Sequence, residues 1–219
     1  MKAKFIASGI FALAFIVLIV LVSVWNVAPI GPENTEIGLS SLNSAVHNAL
    51  GVSDTWYEIT EILGYLAIAV AGAFAVLGIE QAIKRKSIFK VDKKLIALAG
   101  LYCLTVFAYV AFEMVVINYR PVIMAGDAHV EASFPSSHTM LSCVIMGSAF
   151  VMLNDYVRNR GLRLTLQYGA LFVAAIVTVG RLLSGVHWLT DIIGGVLISL
   201  ALVTLFSGVC DAVAKKDKE

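Results

Sequence analysis

A helix that crosses a bilayer needs about 20 predominantly apolar residues, and this chain of 219 residues has six apolar runs near that length. They lie at 5–25, 59–83, 95–117, 137–153, 164–182 and 186–207. In lipid every backbone N–H and C=O must be satisfied inside the segment or by a closed barrel, so such runs fold as helices. The expected fold class is therefore all-α: a polytopic membrane protein of six transmembrane helices. Composition agrees, with 59% hydrophobic and 14% charged residues, against about 45–50% and about 25% in soluble domains. One membrane domain over 1–219 accounts for the length. A net charge of +1 gives no field that points to nucleic acid.

Lys2 and Lys4 precede the first run, as in a signal peptide. The run is longer than a signal h-region and no small-x-small cleavage site follows it, so a retained helix is expected. The segment 30–57 is polar and opens with the turn signal Gly31-Pro32-Glu33-Asn34. Within it Leu39, Leu42, Val46 and Leu50 recur at helical spacing. That spacing fits a short helix lying on the membrane surface between the first two spans, and equally an ordinary packed loop helix. His47 stands alone there and reads as structural. Cys103, Cys143 and Cys210 fall in apolar runs. Their odd count and spacing argue against a disulfide framework or a zinc site.

Cytoplasmic loops carry an excess of Lys and Arg. The N-terminus, the 84–94 loop, the 154–163 loop and the tail from Lys215 to Glu219 are the basic segments. Six spans put all four on one side, so both termini are expected in the cytoplasm. The 118–137 loop and the 182–187 turn then face outward.

Those outward segments hold the residues with chemistry. Arg120 and Arg181 present the planar fork that matches phosphate oxygens. Each alone also reads as an interfacial anchor. His187 and Asp191 are four apart at the start of a predicted helix. There a carboxylate can fix one ring nitrogen and leave the other free to attack. His138 follows Pro135-Ser136-Ser137 at a predicted helix N-terminus, where free N–H groups and the dipole favour anions. On this reading His187 is the nucleophile, Asp191 its orienter, and His138 the acid for the leaving oxygen and later the base for water. Arg120, Arg181, Ser136 and Ser137 hold the phosphate. The structural alternatives are a polar pair packing helices for His187 and Asp191, and plain N-cap serines for Ser136 and Ser137.

These segments resemble the signature of the type 2 phosphatidic acid phosphatase and vanadium haloperoxidase superfamily. Its pattern is Lys-x6-Arg-Pro, Pro-Ser-Gly-His and Ser-Arg-x5-His-x3-Asp. Here the three read Glu113-x6-Arg120-Pro121, Pro135-Ser136-Ser137-His138 and Gly180-Arg181-x5-His187-x3-Asp191. The resemblance covers about residues 37–209. It implies a six-helix membrane phosphatase with no metal and no cofactor, working through a phosphohistidine with the residue roles given above. Its substrates would be phosphatidic acid, phosphatidylglycerol phosphate, or undecaprenyl phosphates and diphosphates. Partners would be the lipid phosphate and membrane lipids, with no oligomeric state implied.

Three departures stand out. Ser137 replaces glycine and Gly180 replaces serine, both expected to be tolerated. Glu113 replaces the lysine, putting an anion where the pattern has a cation. A protonated Glu113, a Glu113 paired with arginine, or a substitute cation such as His129 would reconcile it with the chemistry. The alternatives to a phosphatase are a phosphotransferase using the same phosphohistidine and a catalytically weak lipid-phosphate-binding protein. A metal site on His138, His187 and a carboxylate fits less well, because two arginines beside it oppose a cation. Haloperoxidase activity suits a membrane-embedded chain of this size less well than lipid substrates do. A compact chain without added domains suggests a bacterial cell membrane.

Overall fold

The computed structural model describes residues 1–124 and 126–216, so the last three residues of the basic tail lie outside the described residues. It contains seven α-helices among the described residues: α1 (Lys2–Val24), α2 (Ser40–Leu50), α3 (Asp54–Lys84), α4 (Lys93–Met114), α5 (Ser137–Tyr156), α6 (Arg160–Leu183) and α7 (Leu189–Lys216). All but α2 are long and apolar enough to cross a membrane. The described residues hold no β-strand, only isolated bridges at Ala28–Ile37 and Tyr119–Ala132.

The expected spans match these six helices with shifted ends. α3 starts five residues before the apolar run, capped by Ser53, whose hydroxyl accepts from Trp56 N. α6 and α7 likewise run into charged residues at Arg160 and Lys216. Helical hydrogen bonding does not end where hydrophobicity ends, and long charged side chains reach water from inside the last turns. The 31 residues of α3 make about 46 Å at 1.5 Å per residue, well beyond the hydrocarbon thickness. The sixth run differs at its start: Val186, His187 and Trp188 precede α7 rather than opening it.

α5 packs against α3, α4, α6 and α7, and α1 lies along α7. α5 is both the most buried span and the least apolar, whereas α1 is the most apolar and, with α3, the most exposed; α7 is as apolar as α3 yet largely buried. The contrast between α1 and α5 is what a bilayer favours. Lipid-facing helices need hydrocarbon surface, while inner helices can carry small and polar residues that let backbones approach. Ser199 on α7 shows this, donating to Met140 O of α5 at 3.1 Å. Phe74, Leu98, Val144, Met152, Leu202 and Phe206 fill the core at that crossing.

One end of the bundle gathers the start of α1, the end of α7 and the basic loops. Lys4 pairs with Asp211 at 2.8 Å, Lys94 with Asp155 at 2.7 Å, and Arg85 with Asp92 at 2.9 Å. The opposite end is closed by α2 and the 115–136 segment. α2 does not present its apolar residues to the protein: Leu42 and Leu50 stay exposed, while Asn43 is fully buried. Asn43 bonds Gly38 O at 2.9 Å, Thr190 Oγ1 at 3.0 Å and Thr190 N at 3.2 Å. This buried polar network fixes α2 over the N-terminus of α7. His47 lies against the Trp188 ring, 5.3 Å between centroids.

Candidate functional site

The site lies at the end opposite the start of α1, and four elements build it. The first is the turn between α6 and α7. Gly185 there has φ +71°, and a Cβ on it would lie 2.3 Å from Gly51 O, so only glycine fits both conformation and space. Ser53 N donates to Ser184 O at 3.1 Å, tying this turn to the start of α3. The turn delivers His187, 3% exposed. Among the described residues neither ring nitrogen of His187 has a hydrogen-bond partner. Asp191 Oδ2 stands 3.7 Å from His187 Nδ1, too long for a hydrogen bond. That oxygen instead accepts from Trp188 N at 2.9 Å. Asp191 thus caps α7 while its charge faces the histidine. Burial pushes the pKa of His187 below the usual imidazole range, against the pull of Asp191, and Arg120 and Arg181 push the same way as burial.

The second element is the start of α5. Ser136 is its N-cap, with Oγ accepting from Thr139 N at 3.5 Å, and its own N–H donates to Asp191 O at 3.0 Å. The cap explains Ser136, as the plain structural alternative has it. Ser137 and His187 line one pocket together with Tyr109, Phe112, Glu113 and Met140.

The 118–134 loop is the third. Its neck is a bridge in which Arg120 N donates to Glu131 O at 3.0 Å and Ser133 N to Asn118 O at 2.9 Å. Trp188 Nε1 donates to Tyr119 O at 2.7 Å, docking the neck beside His187. The Arg120 guanidinium pairs with Glu131 at 3.1 Å. Glu113 sits on the pocket wall, in the fields of both Arg120 and Glu131. His129 is not brought to this cluster: it pairs with Glu33 at 3.0 Å, and its side chain is 82% exposed. A loop residue free to reach an acidic neighbour in water gains nothing by turning inward.

The fourth element, the first two turns of α3, is absent from the sequence reading. Arg181 is 1% exposed. It donates from Nη2 to Glu61 Oε1 at 2.7 Å and from Nη1 to Thr60 Oγ1 at 3.3 Å, with its guanidinium 4.8 Å from the Tyr57 ring centroid. His138 Nε2 meets the same Glu61 oxygen at 2.9 Å. Gly64, one turn on, leaves the room that the His138 ring fills, since a Cβ there would be 3.3 Å from His138 Cδ2. A signal for Glu61 was present. The rule that makes ionisable residues inside a span functional by default singles out Asp191 and applies equally to Glu61.

Arg120, Arg181, His138, His187 and Asp191 therefore gather at one end of the bundle, with Ser136 and Ser137 at the helix N-terminus beside them. Two guanidinium groups face four carboxylates there: Glu61, Glu113, Glu131 and Asp191. Among the described residues no three His, Cys, Asp or Glu side chains converge as metal ligands would. Gly180 also finds a reason: a Cβ would lie 2.6 Å from Thr60 Cγ2 and 3.0 Å from Trp56 Cε3. Aromatic and branched side chains of α3 occupy the space that a serine would take. Restoring the pattern with Gly180→Ser is expected to destabilise by about 1–3 kcal/mol through overpacking, read as a lower unfolding midpoint in detergent. An unchanged midpoint would mean that α3 yields freely.

Comparison with known proteins bears on the family and the fold. The sequence profile described as the PAP2 superfamily matches residues 94–212, more than half of the chain. Among curated proteins no sequence matches the chain. The fold is similar to the crystal structure of the first transmembrane PAP2 type phosphatidylglycerolphosphate phosphatase from Bacillus subtilis, with TM-score 0.69 and 17% identity over 94% of this chain and 96% of that one. At that identity the likeness speaks for the six-span membrane fold, and the profile match carries the family. The chain belongs to the PAP2 superfamily.

Proposed function

We propose that this chain is an integral membrane lipid phosphatase. It hydrolyses a phosphate monoester or diphosphate of a lipid through a phosphohistidine, at the outer face of a bacterial cell membrane, with both termini in the cytoplasm. The observation that carries this reading is His187: buried, with both ring nitrogens unbonded among the described residues, in the fields of Arg120 and Arg181. Buried polar atoms without partners are costly and rare. A neutral imidazole left open beside two cations is suited to attack an electrophilic centre that those cations bind.

The step follows from the placement. A His187 nitrogen attacks phosphorus, and the bond from phosphorus to the lipid oxygen breaks. His138 donates a proton to that oxygen, so the lipid leaves as an alcohol, or as a monophosphate from a diphosphate. His138 then takes a proton from water, whose oxygen attacks phosphorus. The P–N bond breaks, and free phosphate and the starting imidazole result. Arg120, Arg181 and the Ser137 N–H at the start of α5, whose N-cap is Ser136, stabilise the charge on the equatorial oxygens throughout. Asp191 stabilises the positive charge that His187 gains as it attacks. The charge work that a metal would do falls to the arginines, so turnover in chelator is expected.

The test is phosphate release by purified protein in detergent with chelator. The panel is phosphatidic acid, phosphatidylglycerol phosphate, undecaprenyl phosphate and undecaprenyl diphosphate, each with and without an alcohol acceptor to expose phosphotransfer. Release from none, by folded protein, would sink the phosphatase reading. One observation favours a second reading, a slow enzyme or a lipid-phosphate-binding protein: Glu113 lies on the wall of the His187 pocket. Glu113→Lys is expected to raise kcat/KM about tenfold, because it removes a repulsion and adds an attraction near the phosphate. No change in kcat/KM would place Glu113 outside the phosphate's reach.

A further inference from the structure

Both arginines of the site are already paired with carboxylates of the chain itself. Arg120 is paired with Glu131 near the rim, where the carboxylate is half exposed. Arg181 is paired with Glu61 deep inside, where the guanidinium is almost fully shielded from solvent. The inner pair matters more. A single oxygen, Glu61 Oε1, accepts from Arg181 Nη2 at 2.7 Å and meets His138 Nε2 at 2.9 Å. An anionic oxygen held between an arginine fork and that histidine nitrogen is the arrangement required of a bound phosphate oxygen. Arg181 also has an Nε–H with no partner among the described residues, so its fork is not exhausted by the chain.

We propose that Glu61 is a resident counter-ion that holds the place of a phosphate oxygen and must give up Arg181 and His138 before substrate phosphate can take them. Glu61 thereby selects for phosphates attached to a lipid. The inference rests on the phosphatase reading above. A free phosphate offers only its charge against the carboxylate it must displace. A lipid phosphate adds the apolar attachment of its chains to the membrane, which Glu61 does not oppose. The same competition helps expel product, since inorganic phosphate left after hydrolysis faces a carboxylate poised to return. Side-chain placement allows the exchange: Glu61 and His138 keep 25% and 29% of their side chains exposed, so the carboxylate has room to swing from Arg181 toward solvent. A rim carboxylate such as Glu131 meets water already and exerts less of this effect.

The experiment compares wild type with Glu61→Gln and Glu61→Asp in detergent. It measures inhibition of lipid phosphate turnover by inorganic phosphate, and calorimetric binding of orthovanadate. Glu61→Gln keeps size and hydrogen bonding but loses the charge. Glu61→Asp keeps the charge but withdraws it by one methylene. The expected result is at least tenfold tighter phosphate inhibition and vanadate binding in Glu61→Gln, and a smaller gain in Glu61→Asp, whatever happens to kcat. A gain in anion affinity is not a consequence of misfolding, so a poorly folded glutamine variant leaves the aspartate variant to decide. Equal or weaker anion binding in the folded variants, with an active wild type, would overturn the counter-ion role and leave the phosphatase reading standing. A wild type that neither turns over lipid phosphate nor binds vanadate would overturn both.

Discussion

Replacing His187 with alanine is expected to reduce phosphate release by about 10⁴-fold or more, with the protein still folded. The size follows from removing the attacking atom itself, for which no neighbouring group substitutes: His138 is already engaged with Glu61. The fold should survive because the imidazole makes no hydrogen bond among the described residues, so its removal orphans no donor. Asp191 keeps its bond to Trp188 N and goes on capping α7. Burial also holds the pKa of His187 below its ordinary value. The neutral attacking form therefore persists as pH falls past the point where a free histidine would become charged. Phosphate release and the unfolding midpoint of the variant are the checks. A variant that retains more than about 1% of wild-type release would transfer the nucleophile's role elsewhere, since loss of a nucleophile leaves only what binding and charge stabilisation supply.

The helices were legible because lipid leaves so few options: an apolar run long enough to span must be a helix, and six such runs give six spans. Helix ends were less legible. The first turn of α3 lies outside the apolar window, yet it carries Trp56 and Tyr57, which with Thr60 just inside the window brace Gly180 and Arg181. Order and spacing brought Arg120, His138, Arg181, His187 and Asp191 together on paper, since motifs at the outward ends of consecutive helices must converge. Spacing did not carry the partners. Glu61 is 120 residues from Arg181 and 77 from His138, and no local pattern links them. The four-residue step from His187 to Asp191 suggested one helical face. The turn at Gly185 instead sets His187 ahead of the helix and leaves Asp191 to cap it. His129 looked like a substitute cation by sequence proximity alone, and Glu33, from a distant loop, holds it outside.

Arg181→Met should carry a double loss, and the two halves separate. Methionine fills a similar volume with no charge, so the partly buried Glu61 carboxylate loses its cation. Breaking a buried pair by removing one partner costs about 3–5 kcal/mol. Glu61 retains a quarter of its side-chain exposure and its contact with His138, so we expect the low end of that range. Turnover should fall further, by about 10²–10³-fold, as for loss of one preorganised donor to a developing charge. If Arg181 serves only to anchor α6 to α3, adding Glu61→Gln should repair both defects, since the orphaned charge is gone. If Arg181 also grips phosphate, the double variant regains stability but not turnover. The cycle of wild type, the two single variants and the double, followed by unfolding midpoint and by kcat/KM, tells these apart. Contacting residues in one ionic network couple by about 0.5–3 kcal/mol, so non-additive midpoints are expected. Arg181→Lys sharpens the contrast. An ammonium can neutralise Glu61, but it cannot reach Thr60 and a phosphate together with a planar fork. It should therefore restore most of the midpoint and little of the turnover. A lysine variant with wild-type kcat/KM would show that a point charge suffices at this position and that the fork geometry plays no part in holding the phosphate.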